Sequence, residues 1–100
     1  EIYGGNANDV LNGLARILTK EGSDVTAEFL FGAEQTLHLA LSVNPELVIF
    51  KENSPSCGVN CVYDGSHSGL LIQGCGVTTA LLRRKGFTVI SEKEFLTPRT

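Results

Sequence analysis

Leu47-Val48-Ile49-Phe50-Lys51-Glu52-Asn53-Ser54-Pro55-Ser56-Cys57-Gly58 passes without transition from an apolar run to a polar, proline-stiffened loop. A short, continuous apolar run of this kind predicts a strand covered on both faces, the habit of parallel sheets. In open parallel sheets ligands collect beyond the carboxyl ends of the strands, where loops diverge. The loop that leaves Phe50 is therefore the place to look for chemistry.

Helices flank this strand on both sides in sequence. Upstream, Phe29, Leu30, Ala33, Leu37, Ala40 and Leu41 recur at helical spacing, so one helix face is expected to be buried. Thr26 is the expected cap of that helix, with Val25 and Leu30 forming a hydrophobic staple and Glu28 favouring the positive end of the dipole. The helix must end before Pro45, because the residue preceding proline is pushed away from α geometry. Downstream, Gly74 and Gly76 lead into a helix from Val77 to Lys85, closed by basic residues and by Gly86 as a left-handed cap. Phe87-Thr88-Val89-Ile90 reads as a second buried strand, and Ser91 with Glu94 as a capping box that starts a last short helix.

At the N-terminal end, Glu1 to Gly13 is rich in Gly, Asn and Asp and reads as loop, with Gly4-Gly5 permitting backbone angles closed to other residues. Ala15 to Thr19 predicts a short strand, ended by the turn residues Lys20 to Asp24. Strand, helix and strand in this order imply an α/β fold: a small three-layer open sheet, mostly parallel, with flanking helices. A chain of 100 residues suffices for one core, so residues 1–100 are read as a single domain. The start at Glu1 on a glycine-rich turn suggests the C-terminal part of a longer chain.

The net charge of −3 and pI of about 5.2, with cations scattered apart from Arg83-Arg84-Lys85, leave no basic stripe for nucleic acid. Apolar runs fall far short of the roughly 20 residues of a membrane span. Three cysteines are an odd count for a disulfide scaffold, and reduced thiols in the cytoplasm fit better.

Cys57 follows the proline and precedes a glycine that lets backbone or ligand approach closely. A rigid, strand-anchored thiol of this kind serves as metal ligand or nucleophile when nearby positive charge lowers its pKa from about 8.5. The bland alternative is a small, semi-buried residue in a turn.

The run Lys51 to Gly58, followed by Tyr63-Asp64-Gly65, Ser68-Gly69 and Gly74 through Gly76-Val77-Thr78, resembles the bacterial family called domain of unknown function 523, which includes thiouracil desulfurases. Gly4-Gly5, Asp9-Val10-Leu11, Gly13-Leu14-Ala15 and Asp24-Val25-Thr26 are similar to the same family, so the resemblance spans nearly the whole chain. It implies a 4Fe-4S cluster held by three cysteines, with one iron left open. Cys57 matches the last of these ligands. The open iron would accept the sulfur of a small thiolated heterocycle such as thiouracil while water replaces that sulfur at the ring carbon. Ser54 matches a polar group that the family places near substrate.

The chain also departs from the family. The other two ligands are expected N-terminal to Glu1, and Cys61 and Cys75 stand where non-cysteine residues are expected. Ala7, His67 and Leu70 replace a glycine, an aromatic and a polar residue. The separations of Cys57, Cys61 and Cys75 match no zinc or iron-sulfur pattern; Cys61 reads as a packed loop residue, and Cys75 as a turn residue or a thiolate at a helix start.

His38 reads as a helix-surface residue and His67 as a solvated loop residue able to titrate near neutral pH. Asp64 reads as the turn-former of Asp-Gly, while Asp9 and Glu52 are candidate acid-base groups without an evident partner. Gly74 to Thr78 reads as a weak anion site. The leading reading is an iron-sulfur-dependent desulfurase acting on a small molecule. The alternative is a non-catalytic binding or sulfur-handling module that keeps the fold without the cluster.

Overall fold

The computed structural model describes residues 1–52, 58, 59, 61–63, 71–73 and 75–96. The chain opens with β1 (Ile2–Tyr3), α1 (Ala7–Leu11) and β2 (Arg16–Ile17), and β1 and β2 pair antiparallel with Ile2 opposite Ile17. A segment read as loop therefore holds a strand and a helical turn. The local cause is a reciprocal cap: the Asp9 N–H donates to Asn6 Oδ1 and the Asn6 N–H donates to Asp9 Oδ2, each at 2.9 Å. This satisfies two amides that a helix start leaves unpaired. Gly5 makes room for it, since a Cβ there would lie 2.5 Å from Asp9 Oδ2.

The long helix α2 (Thr26–Val43) buries Thr26, Ala33 and Ala40 along one line, with Phe29, Leu30 and Leu37 half-buried beside them. Leu41, expected on this face, is exposed. Thr26 is not the cap. It is the first helical residue, and its Oγ1 accepts the Ile17 N–H at 2.8 Å in the interior, while Asp24 Oδ1 accepts the Thr26 N–H at 2.9 Å. The hydroxyl thus joins α2 to β2, because a buried strand amide left unpaired would cost roughly 1–3 kcal/mol. At the other end Asn44 takes the left-handed conformation, φ 52°, just before Pro45.

The strand expected from the apolar run is β3 (Val48–Phe50). β4 (Cys61–Tyr63) and β5 (Leu71–Gln73) form an antiparallel pair, followed by α3 (Val77–Arg84), β6 (Val89–Ser91) and α4 (Glu92–Leu96). β3 and β6 run parallel, with Val48 opposite Val89 and Phe50 opposite Ser91. The architecture is α/β, with short sheets and flanking helices; the parallel pairing lies in β3–β6, and the other two ladders are antiparallel. β3 alternates instead of being covered on both faces: Val48 and Phe50 pack on the core, while Leu47 and Ile49 are 40% and 41% exposed. Cys61, read as a loop residue, lies in β4.

Two apolar clusters meet along α3. Val77 and Ala80 join Ile2, Val10, Ile17 and Ala33, whereas Leu82 joins Ala40, Val59 and Val89. Val77, Thr79 and Leu82 are fully buried, so α3 is the central helix and its position fixes both the β1–β2 unit and the parallel ladder. Gly86, φ +94°, ends it as expected and lets the Phe87 N–H reach the Leu82 carbonyl at 3.0 Å. The Ser91–Glu94 box forms in both directions, at 3.3 and 3.1 Å, and turns β6 directly into α4.

Candidate functional site

The carboxyl ends of β3 and β6 lie side by side because the two strands are parallel and in register. Glu92 directly follows β6 and Glu52 lies two residues beyond β3, at the same end of the pair. The Glu52 N–H donates to Glu92 Oε2 at 2.9 Å, and Glu52 Oε1 accepts the Val59 N–H at 2.7 Å. The Glu52 carboxylate therefore ties Glu52 to Val59. Bonds from backbone N–H to carboxylate are among the stronger hydrogen bonds in proteins.

The returning end is fastened by other groups. Val59 is 2% exposed, and its carbonyl accepts from Arg83 Nη1 at 3.3 Å, while Arg83 Nη2 donates to the Val89 carbonyl at 2.9 Å. The Gly58 carbonyl accepts the Gly76 N–H at 2.7 Å. Gly76 is the N-cap of α3 and has no side chain to cap with. At Gly58 the chain is thus bonded to the start of the central helix, the positive end of its dipole.

Cys75 precedes this N-cap and is half-buried. Burial pushes its thiol above the ordinary range, with the Arg83 guanidinium acting in the opposite direction. Burial wins, so it remains a thiol near neutral pH. Ser54, Cys57, Asp64 and His67 lie outside the described residues. Asp9 is spent on the α1 cap, and His38 is exposed on α2. Among the described residues, no group of three or more His, Cys, Asp or Glu side chains is placed to hold a metal ion.

An apolar groove of about 270 Å³ runs between the second half of α2 and β3, lined by Leu39, Val43, Pro45, Leu47 and Phe50. Thr36 supplies a hydroxyl there, but it donates to the Gly32 carbonyl at 2.9 Å. A groove of this make-up lacks the convergent polar groups that orient a heterocycle.

The family model described as 2-thiouracil desulfurase matches residues 1–94. The chain belongs to the 2-thiouracil desulfurase family. A Bacillus subtilis (strain 168) relative, the uncharacterized protein YbbK, is 53% identical over 94 residues, which are 94% of this chain and 62% of the relative. A solved structure of TudS, a 4Fe-4S-dependent thiouracil desulfidase, matches with a TM-score of 0.77 at 47% identity, over 79% of this chain and 52% of that one. The chain spans between about half and two thirds of these relatives' lengths.

Several segments that resemble the desulfurase family have structural duties here. Asp9 caps α1, Asp24 and Thr26 bind α2 to the strand before it, and Gly76-Val77-Thr78 begins the buried helix. The residues that sequence reasoning missed are Glu92 and Arg83, together with the role of Glu52. Arg83 read as a last-turn cation, whereas its guanidinium reaches two carbonyls on separate segments. Glu92 lies 40 positions from Glu52 and Val59 lies 24 from Arg83, so no local pattern announces those two contacts.

Proposed function

We propose that this chain forms part of an iron-sulfur-dependent desulfurase acting on a small thiolated heterocycle of the thiouracil type. Cys57 is one ligand of a 4Fe-4S cluster, and Ser54 lies beside the substrate. The described residues do not themselves make up a cluster's ligand set; Cys75 is a half-buried thiol held against the Arg83 guanidinium, with no second described ligand grouped beside it. The remaining ligands come from outside residues 1–100. When bound, the cluster supplies an open iron able to accept the departing sulfur.

The single observation that carries the reading is the anchoring of the Cys57 loop. The loop leaves the carboxyl end of a parallel strand, and its far end is bonded to the N-cap of α3 through Gly58 and Gly76. Ligand-binding loops of open α/β sheets lie at this edge. The likeness to TudS, itself a 4Fe-4S-dependent thiouracil desulfidase, supports the same assignment. What the chain contributes is position: Ser54 and Cys57 lie three residues apart in sequence, between Glu52 and Val59, which are joined by a hydrogen bond.

The test is anaerobic reconstitution with iron and sulfide. The 100-residue chain is used alone and mixed with the part of the Bacillus subtilis relative that lies outside the 94 matched residues. The mixture is expected to bind iron and acid-labile sulfide, and to convert 2-thiouracil to uracil with release of sulfide. Cys57→Ser should lose bound iron, and Ser54→Ala should keep iron but lose turnover. A Cys57→Ser protein with full iron content would overturn the reading. A colourless mixture that still binds the thiolated base would assign the non-catalytic module instead.

A further inference from the structure

We infer that the apolar groove between α2 and the open edge of β3 is a docking surface for an extended aliphatic segment of polypeptide, which pairs with β3 as a further strand and comes from the part of a family chain outside the matched residues. The inference stands apart from the cluster and from Cys57. Its first support is the strand itself. The Val48 N–H donates to the Thr88 carbonyl at 2.9 Å, on the side of β6. Successive amides of a strand point to opposite edges, so the Ile49 N–H and carbonyl face away from β6. Among the described residues no strand pairs with that edge. Edges that stay open to water are blunted by charge, proline or a bulge, whereas β3 is Val48-Ile49-Phe50, with Ile49 41% exposed.

The helix beside the strand supplies the second support. Leu39 and Val43 are 65% and 66% exposed, and with Thr36 they follow at spacings of three and four along one face of α2. The Thr36 hydroxyl already donates to the Gly32 carbonyl, so this wall asks for no polar partner. A segment laid along β3 would pair with the Ile49 backbone and set alternate side chains into the groove, as peptides do when they extend a sheet edge.

Length decides the source. The matched residues are 62% of the Bacillus subtilis relative, and this chain covers 52% of TudS, so more than a third of each relative is at hand to cover the groove. A second copy suits the groove less. A two-fold contact would set a three-residue strand against itself and bring together two chains of net charge −3.

The test measures the mass of the 100-residue chain in solution by light scattering, alone and with the part of the Bacillus subtilis relative outside the 94 matched residues, added as a separate polypeptide. A one-to-one complex is expected. In it the Ile49 amide should exchange at least about tenfold more slowly than in the chain alone, while the Val48 amide, already bonded, changes by less than about threefold. Leu39→Glu and Val43→Glu alter exposed positions, so the chain should fold, yet each should weaken binding at least about tenfold. Leu41→Glu is the control: Leu41 is 58% exposed on the same helix but does not line the groove, and its variant should bind within about threefold of the parent. Equal weakening by Leu41→Glu, or a homodimer of the parent chain that Leu39→Glu dissolves, would overturn the inference.

If the separate polypeptide is insoluble or forms no complex, the full-length Bacillus subtilis relative decides. Cysteine is placed at its position matching Leu39 or at that matching Leu41, and labelling by a bulky maleimide is read from peptide masses. Labelling at least about tenfold slower at the Leu39 position supports a covered groove, and equal rates overturn it. Iron enters neither arm, so a chain that docks the segment without binding iron removes the cluster reading alone.

Discussion

At the scale of single residues, Asp24 and Cys75 are shifted in opposite ways for opposite reasons. The Asp24 carboxyl is held below its ordinary range, first by its hydrogen bonds to Thr26 and then by Arg16, whose guanidinium is 3.7 Å away. A depressed carboxyl stabilises the folded chain above its unfolded pKa of about 3.9, and that contribution is lost as pH falls through the lower folded value. Urea midpoints should therefore show wild type losing its advantage over Asp24→Asn on acidification below about pH 4, and a constant difference down to pH 2 would refute this. For Cys75 the raised thiol contributes stability below the unfolded pKa of about 8.5, which disappears as pH rises through the folded value. With Cys57 and Cys61 replaced by serine, its alkylation at pH 8 should be about tenfold slower in the folded chain than in urea.

At the scale of elements, two helix glycines predict changes of opposite sign. Gly86 has φ +94° and no atom within 4 Å of a built Cβ, so Gly86→Ala meets backbone strain alone and should cost about 1–2 kcal/mol. Gly32 lies in the exposed interior of α2, again with nothing within 4 Å, and Gly32→Ala should stabilise by about 0.5–1 kcal/mol. Denaturation midpoints check both. Element ends of this kind were well legible: the Ser91–Glu94 box, the stop before Pro45 and the Gly86 cap all depend on residues a few positions apart. The Asn6–Asp9 box was equally local, but it lay in a segment whose Gly and Asn content suggested only loop. Thr26 was misjudged because a hydroxyl at a helix start has two possible customers, and the buried Ile17 amide took it.

At the scale of the whole molecule, Leu82 carries the link between core and site. It is fully buried in the cluster that also holds Val59 and Val89, on the helix whose first residues contact the returning loop. Leu82→Ala should cost about 2–5 kcal/mol and should also speed exchange of the Val59 amide under native conditions. A stability loss that leaves this amide as protected as in wild type would separate the core from the loop.

The apolar run, the polar loop with its single thiol and the periodic helix faces are matters of local spacing, and from them the α/β class follows and the loop of Cys57 is singled out as a candidate. The bracing of that loop required the folded chain. Glu52 meets Glu92, and Arg83 meets Val59, only because two distant strands align in parallel and a central helix packs across them, and contacts between residues tens of positions apart leave no trace in either one's sequence neighbourhood.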